Sequence, residues 1–287
     1  MLNSTAFVKA QQIFRLSQYI QHNYIFNPAA SGAGNKGTLI VSYKKMWSEI
    51  EGGPQTMLIC SDKYFKKSKI GLSGLLFNDI TGPMTKSGFE FNSAYSIPFS
   101  EKRKLQLGLG GLILQERLDK TFLEKYIPGD PVLSGSGSVI TGDASAGVYY
   151  SSPKFNLGLS VKQLVQSKLN LVKSTTVIEG KLYRQYYLMG SYNWATDEEN
   201  VIVPNFLLKF SQNAPSDFEA GAKIIHRDMI WAGFNFHYQQ EFSGFAGFKI
   251  NHKYSLGYAF DQYKTPLSVF DKGGNSHELS FMYYFRN

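Results

Sequence analysis

The sequence predicts an all-β fold, a transmembrane antiparallel β-barrel of about fourteen strands entered through an N-terminal periplasmic segment. Three observations predict it. Apolar and polar residues alternate through many segments. Those segments are long for strands, at roughly 10–14 residues against the usual 5–6, and they match the roughly 9–11 tilted residues that cross a bilayer. Loop length also segregates by strand parity, which a soluble sandwich has no reason to do.

Residues 155–162, FNLGLSVK, show the alternation at its plainest. Phe155, Leu157, Leu159 and Val161 fall on one face of an extended chain, and Asn156, Gly158, Ser160 and Lys162 on the other. The same period recurs at Leu105, Leu107 and Leu109, at Phe218 to Ile224, at Ile230 to Phe236, at Ala246 to Ile250 and at Leu279 to Phe285. Gly, Pro, Asn and Asp clusters then bound strands near 37–47, 54–64, 68–78, 85–97, 103–116, 138–150 and 153–165. The remaining strands fall near 182–195, 200–211, 217–226, 228–239, 241–251, 252–262 and 275–286. Ahead of them, residues 12–20 allow one short helix.

Linkers after even-numbered strands are short (65–67, 98–102, 151–152, 196–199), with near-direct turns at Arg227 and between Asn251 and His252. The long connections 117–137, 166–181 and 263–274 all follow odd-numbered strands. A barrel with periplasmic termini carries short turns on that side and long loops outside. The polar rows hold Lys162, Lys209, Lys223, Lys249, Glu219 and Asn235. Such groups are costly to bury unpaired, so they are expected to face the barrel interior, with the apolar rows toward lipid. The inward row mixes bulky Leu207, Met282 and Tyr284 with small residues, which suits a partly filled lumen as well as an open one.

Composition agrees. Hydrophobic residues make up 43% and aromatic residues 15% of the chain, without any run near the roughly 20 apolar residues of a spanning helix. The single cysteine, Cys60, excludes an internal disulfide framework and a Cys-based zinc site. The net charge of +8 is dispersed and its tight clusters, Lys66-Lys67 and Lys102-Arg103-Lys104, sit at turns, so no nucleic-acid partner is expected. The domain reading is 1–10 as a signal-peptide remnant or a flexible N-terminus, 11–36 as a periplasmic, plug-like segment and 37–287 as the barrel. Val8-Lys9-Ala10 before Gln11 is the small-residue pattern behind the first alternative.

Motifs for chemistry are weak. GAGNKG (Gly32, Gly34, Gly37) has dinucleotide-fingerprint spacing, but it precedes a strand where that motif must follow one. It is expected to be a glycine-rich entry to the first strand. Five scattered histidines lack metal-ligand spacing, and no metal or cofactor is expected. His277 and Glu278, beside Ser276 and Ser280, suggest a hydrolase triad. Neighbours on a strand point oppositely, however, so they cannot form a base–orienter pair, and no nucleophile elbow is present. Asp261 and Asp271 are expected in loops or turns. The chain is not expected to be an enzyme.

LSQYIQHNYIFNPAASGAG (16–34) resembles the SQY…NPA…G opening of PorP/SprF-type outer-membrane proteins of type IX secretion and gliding systems. The likeness continues through SYKKMWSEIEGGPQT, IGLSGLLFNDITGPMTKSGFEFNSAYSIPF, PGDPVL and LGYAFDQYKTPLS to SHELSFMYYF. The YIQHNYIFNP stretch is longer than the family's Gln-Tyr…Asn-Pro spacing. The resemblance implies a non-catalytic partner or anchor for export and surface attachment of cargo proteins, such as gliding adhesins, that carry a C-terminal sorting domain. It implies contact with outer-membrane lipids and with secretion components including periplasmic lipoproteins, with the outer loops and N-terminal segment binding cargo. The alternative is a passive channel or hydrophobic-solute transporter. Motif positions carried over as partner-binding or structural are Asn27, Pro28, Trp47, Gly82, Pro83, Gly129, Asp130, Pro131, Asp261, His277 and Glu278. Pro and Gly there also suit turns, and Trp47 also suits an interfacial aromatic.

Overall fold

The computed structural model describes residues 16–34, 36–124, 128, 137–169, 171, 180–212, 214–238, 241–263 and 275–285, with backbone only at 214 and 215. Gly129, Asp130, Pro131 and Asp271 lie outside them. The strands are β1 (Gly37–Met46), β2 (Gln55–Phe65), β3 (Ile70–Thr81), β4 (Met84–Ser100), β5 (Arg103–Leu118), β6 (Ser138–Ser151) and β7 (Phe155–Lys162). They continue as β8 (Gln185–Tyr192), β9 (Trp194–Ala195), β10 (Asn200–Ser211), β11 (Ala214–His226), β12 (Ile230–His237), β13 (Glu241–Ile250), β14 (Tyr254–Tyr263) and β15 (Asn275–Phe285). Each pairs antiparallel with its sequence neighbours, except that β8 pairs with β10 and β9 with β10 alone; β1 pairs with β15, and β10 with β11, so the sheet closes. The barrel has 14 strands, with the two-residue β9 as an extra piece beside β10. Closure removes every sheet edge, as hydrocarbon requires of a spanning sheet.

The expected strand at 182–195 is shorter and interrupted at Asn193, whose N–H to the Lys154 carbonyl is the last bond toward β7 before the chain turns to β9. The connections after β2, β4, β6, β9, β11 and β13 are all short, and this end also carries the start of β1 and the end of β15. The other end mixes tight turns such as 82–83 with the long connections 119–137, 163–184 and 264–274. Two of the short turns have type I′ geometry. Arg227 and Asp228 (φ 51° and 53°), and Asn251 and His252 (φ 51° and 53°), lie between N–H to carbonyl bonds of 2.9 and 3.1 Å. That twist matches the flanking strands.

The side-chain faces follow the alternation. Leu109, Phe248, Leu279 and Leu159 are exposed on the outside, whereas Lys162 is 5% exposed and lies inside. The polar face of FNLGLSVK is therefore the lumen face. The outward row forms an apolar belt, and the inward row meets the N-terminal segment.

Of the short helix expected over 12–20, residues 12–15 lie outside the described residues, and residues 16–20 form no α-helix. From residue 16 the segment forms a 3-10 turn (Tyr19–Gln21), the four-residue helix α1 (Asn23–Phe26) and a second 3-10 turn (Pro28–Ala30). Tyr19, Tyr24, Ile25, Phe26, Ala29 and Ala30 are buried in one cluster with inward residues Ile40, Leu58, Leu75, Tyr187 and Met282. The turns stay short because barrel side chains take the segment's carbonyls, and Pro28 lacks the N–H to extend a helix. A lipid-facing charge tests the outer face: Leu109→Arg should cost about 2–4 kcal/mol if it sits at the bilayer midplane. Urea unfolding in lipid vesicles should show the loss, and heat-dependent gel migration should still report a folded barrel.

Candidate functional site in the plugged lumen

The lumen is built around the carbonyls of residues 17–32. Asn235 Nδ2 donates to the Ser17 carbonyl (2.8 Å), Lys162 Nζ to Ile25 (2.8 Å) and Ser160 Oγ to Phe26 (2.6 Å). Gln106 Nε2 donates to Ser31 (2.9 Å) and Lys104 Nζ to Gly32 (3.1 Å). Each donor stands on the inward face of a strand, so one period-two row supplies what an irregular buried backbone needs.

Ser17 sits at the densest charge cluster. Its N–H donates to Glu278 Oε2 (2.7 Å) and its hydroxyl to Asp261 Oδ2 (2.8 Å), while Lys44 Nζ donates to its Oγ (2.9 Å). Lys44 and Asp261 are 2.7 Å apart and each only 1% exposed. A second buried pair, Lys162 with Glu90 at 2.7 Å, stands where the segment's short helix ends. Charges this deep persist only when paired and hydrogen-bonded. Tyr19 Oη donates to Asn205, and Gln18 Oε1 accepts from Ser280 (3.3 Å) and Gln21 (3.0 Å).

The Asn-Pro motif is held in the same way. Asn27 Oδ1 caps the Ala29 N–H (2.9 Å), and its Nδ2 bridges the Val148 (3.0 Å) and Leu159 (3.3 Å) carbonyls of two barrel strands. Pro28 opens the following 3-10 turn. Glycines in the wall make the room. A Cβ at Gly108 would collide with the Ala29 backbone, and one at Gly71 with the Ser31 carbonyl. His22 is fully buried, and neither ring nitrogen has a hydrogen-bond partner among the described residues. Burial first, and the Lys223 charge second, lower its pKa to about 4.

The sequence-predicted positions separate into distinct places. Asp261 is in β14 and not in a turn, and its carboxylate neutralises Lys44 two strands away on the same stretch of inner wall. Glu278 joins that cluster, but His277, one residue away, lies outside, where its Nδ1 and the Tyr258 hydroxyl are 2.7 Å apart. Strand alternation has put the two on opposite sides of the wall. Trp47 is not at the lipid interface: it follows β1 with φ 51°, packs edge-on against inward-facing Tyr263 at 6.5 Å and buries its indole N–H. Gly82 (φ 53°) and Pro83 make the β3–β4 turn. The Gly82 N–H meets the Gly52 carbonyl (2.9 Å), and the Pro83 carbonyl accepts from Asp119 (2.7 Å), which ties three loops together. Sequence reasoning missed Ser17, Lys44, Glu90 and the wall glycines. The signal for Lys44 was available, since it shares the inward row of β1 with Ile40 and Ser42.

A family model described as type IX secretion system membrane protein PorP/SprF matches residues 8–283. No curated protein matches the chain. Solved structures similar in fold include the CymD monoaromatic hydrocarbon channel, with TM-score 0.57, 11% identity and coverage of 95% of this chain and 94% of that one. The Ralstonia pickettii toluene transporter TbuX follows, with TM-score 0.54, 11% identity and coverage of 92% and 93%. The Acinetobacter baumannii outer membrane protein Omp33 has TM-score 0.50, 8% identity and coverage of 89% and 100%.

Replacing Lys44 with Met should leave two carboxylates buried without their cation. It should cost about 3–5 kcal/mol, read as a fall in the urea midpoint in lipid vesicles. His22 has a second consequence. The free segment titrates near 6.5 and the docked one near 4, so seating is at full strength above about pH 6.5 and weakens as pH falls through about 4. Hydrogen exchange over residues 19–30, corrected for its intrinsic pH dependence, should accelerate across that window in the native chain and stay flat in His22→Asn.

Proposed function

The chain belongs to the PorP/SprF family of type IX secretion membrane proteins, and on that premise we propose that it is a non-catalytic outer-membrane anchor for particular exported proteins. The observation that carries this is the filled lumen: a barrel whose interior hydrogen bonds are spent on its own N-terminal segment is a rigid base and not an open pore. Its termini face the periplasm, where the short turns are, and its long connections face outward. Cargo carrying a C-terminal sorting domain, gliding adhesins among them, docks on the outward rim around Gly82 and Pro83. Secretion components, including periplasmic lipoproteins, meet it from the other side. Separation of His277 from Glu278 by the wall supports the non-catalytic reading.

A channel for hydrophobic solutes is the second reading, favoured by the fold shared with CymD and TbuX. The seated segment weighs against it. Single-channel recording in planar bilayers separates the two: the native barrel should show no steady conductance, whereas Gly108→Leu, which removes the seat for Ala29, should open one. Steady conductance in the native chain would favour the channel. Affinity isolation from solubilised outer membrane should recover a secreted protein with a C-terminal sorting domain, and recovery of neither cargo nor secretion component would overturn the anchor.

A further inference from the structure

Between the seated segment and the long-loop end lies a cleft of about 520 Å³, counted with the part open to solvent. Leu75, Leu112, Leu114 and Leu182 form its walls, and Ile25 of α1 with the Glu90–Lys162 pair forms its floor. A mostly apolar concavity with a few polar groups is the usual form of a small-molecule site. Here the polar groups are incomplete. Glu90 Oε2 takes the Lys162 ammonium, but among the described residues the buried Oε1 of Glu90 has no donor, and neither has the buried Oε1 of Gln163, which also lines the cleft. Buried acceptors left unmatched are costly and rare.

The unmet requirement is therefore for donors. The charges of the lining balance, Asp79 and Glu90 against Lys86 and Lys162, with Lys86 3.6 Å from Glu116, so a cation finds no net attraction there. An anion brings further acceptors to a site already short of donors. We propose that this cleft binds small, neutral, largely apolar molecules that carry one hydroxyl, of the phenol class. The ring lies between the leucine walls and the hydroxyl donates to Glu90 or Gln163. The seated segment closes the far side, so the site is a receptor pocket and not a step in a transport path. It stands independently of the anchoring role, because it uses lumen residues and no part of the outer rim.

The test is fluorine NMR of 4-fluorophenol with the full chain in lipid nanodiscs, against empty nanodiscs to subtract partition into lipid. Saturable broadening is expected, with fluorobenzene at least about 10-fold weaker for want of a donated hydrogen bond to a charged acceptor. Leu112→Trp should fill the cleft and abolish the saturable part. Leu182→Phe should weaken it without altering a strand, which keeps the test open if the first variant fails to fold. Gln163→Leu should narrow the preference for the phenol. No saturable component in the native chain, equal binding of fluorobenzene, or unchanged binding in both filling variants would overturn the proposal.

Discussion

An irregular backbone buried inside a membrane barrel has to find donors for its carbonyls, and the rest of this molecule is arranged around that requirement. The segment from Ser17 to Gly32 has no helix long enough to satisfy itself. Asn235 on β12, Lys162 and Ser160 on β7, and Gln106 and Lys104 on β5 supply the missing bonds. Because those donors include lysines, carboxylates must accompany them. Asp261 and Glu278 around Lys44, and Glu90 beside Lys162, are the electrostatic complement of a carbonyl-binding wall. Each half needs the other, since an unpaired buried charge costs more than the pair is worth.

Shape follows the same logic. Main chain approaches main chain at Gly71 and Gly108, where a side chain would occupy the space of Ser31 or Ala29. Asn27 then bridges two barrel strands through their carbonyls, joining segment and wall into one packed unit. A barrel so filled is the feature on which the anchoring proposal rests. The likeness to hydrocarbon channels is one of fold alone, at 11% identity. A common wall permits different interiors.

Much of this was legible in the residues because it is local. Period two assigns every strand residue to one face, so the inward position of Lys162 and the opposite faces of His277 and Glu278 follow from adjacency alone. Loop parity was legible as an asymmetry, although short turns such as 82–83 also occur at the long-loop end. Asp261 and Trp47 were misplaced for one reason: each was judged by its immediate neighbours, a turn-like Asp near a strand end and a Trp at a membrane rim. Asp261 is instead held by Lys44 two strands away, and Trp47 packs against Tyr263.

Alternating apolar and polar residues, strand length and turn chemistry determined by themselves that this chain is a closed outer-membrane barrel with a polar interior. Those properties depend on the solvent each face meets, and lipid and lumen are written into successive residues. Only the tertiary structure decided what the interior is for. The bond from Ser17 to Asp261 joins residues 244 positions apart, and that from Lys162 to Glu90 joins residues 72 apart. Such pairings are set by barrel closure and by where glycines leave room, and no local period carries that information.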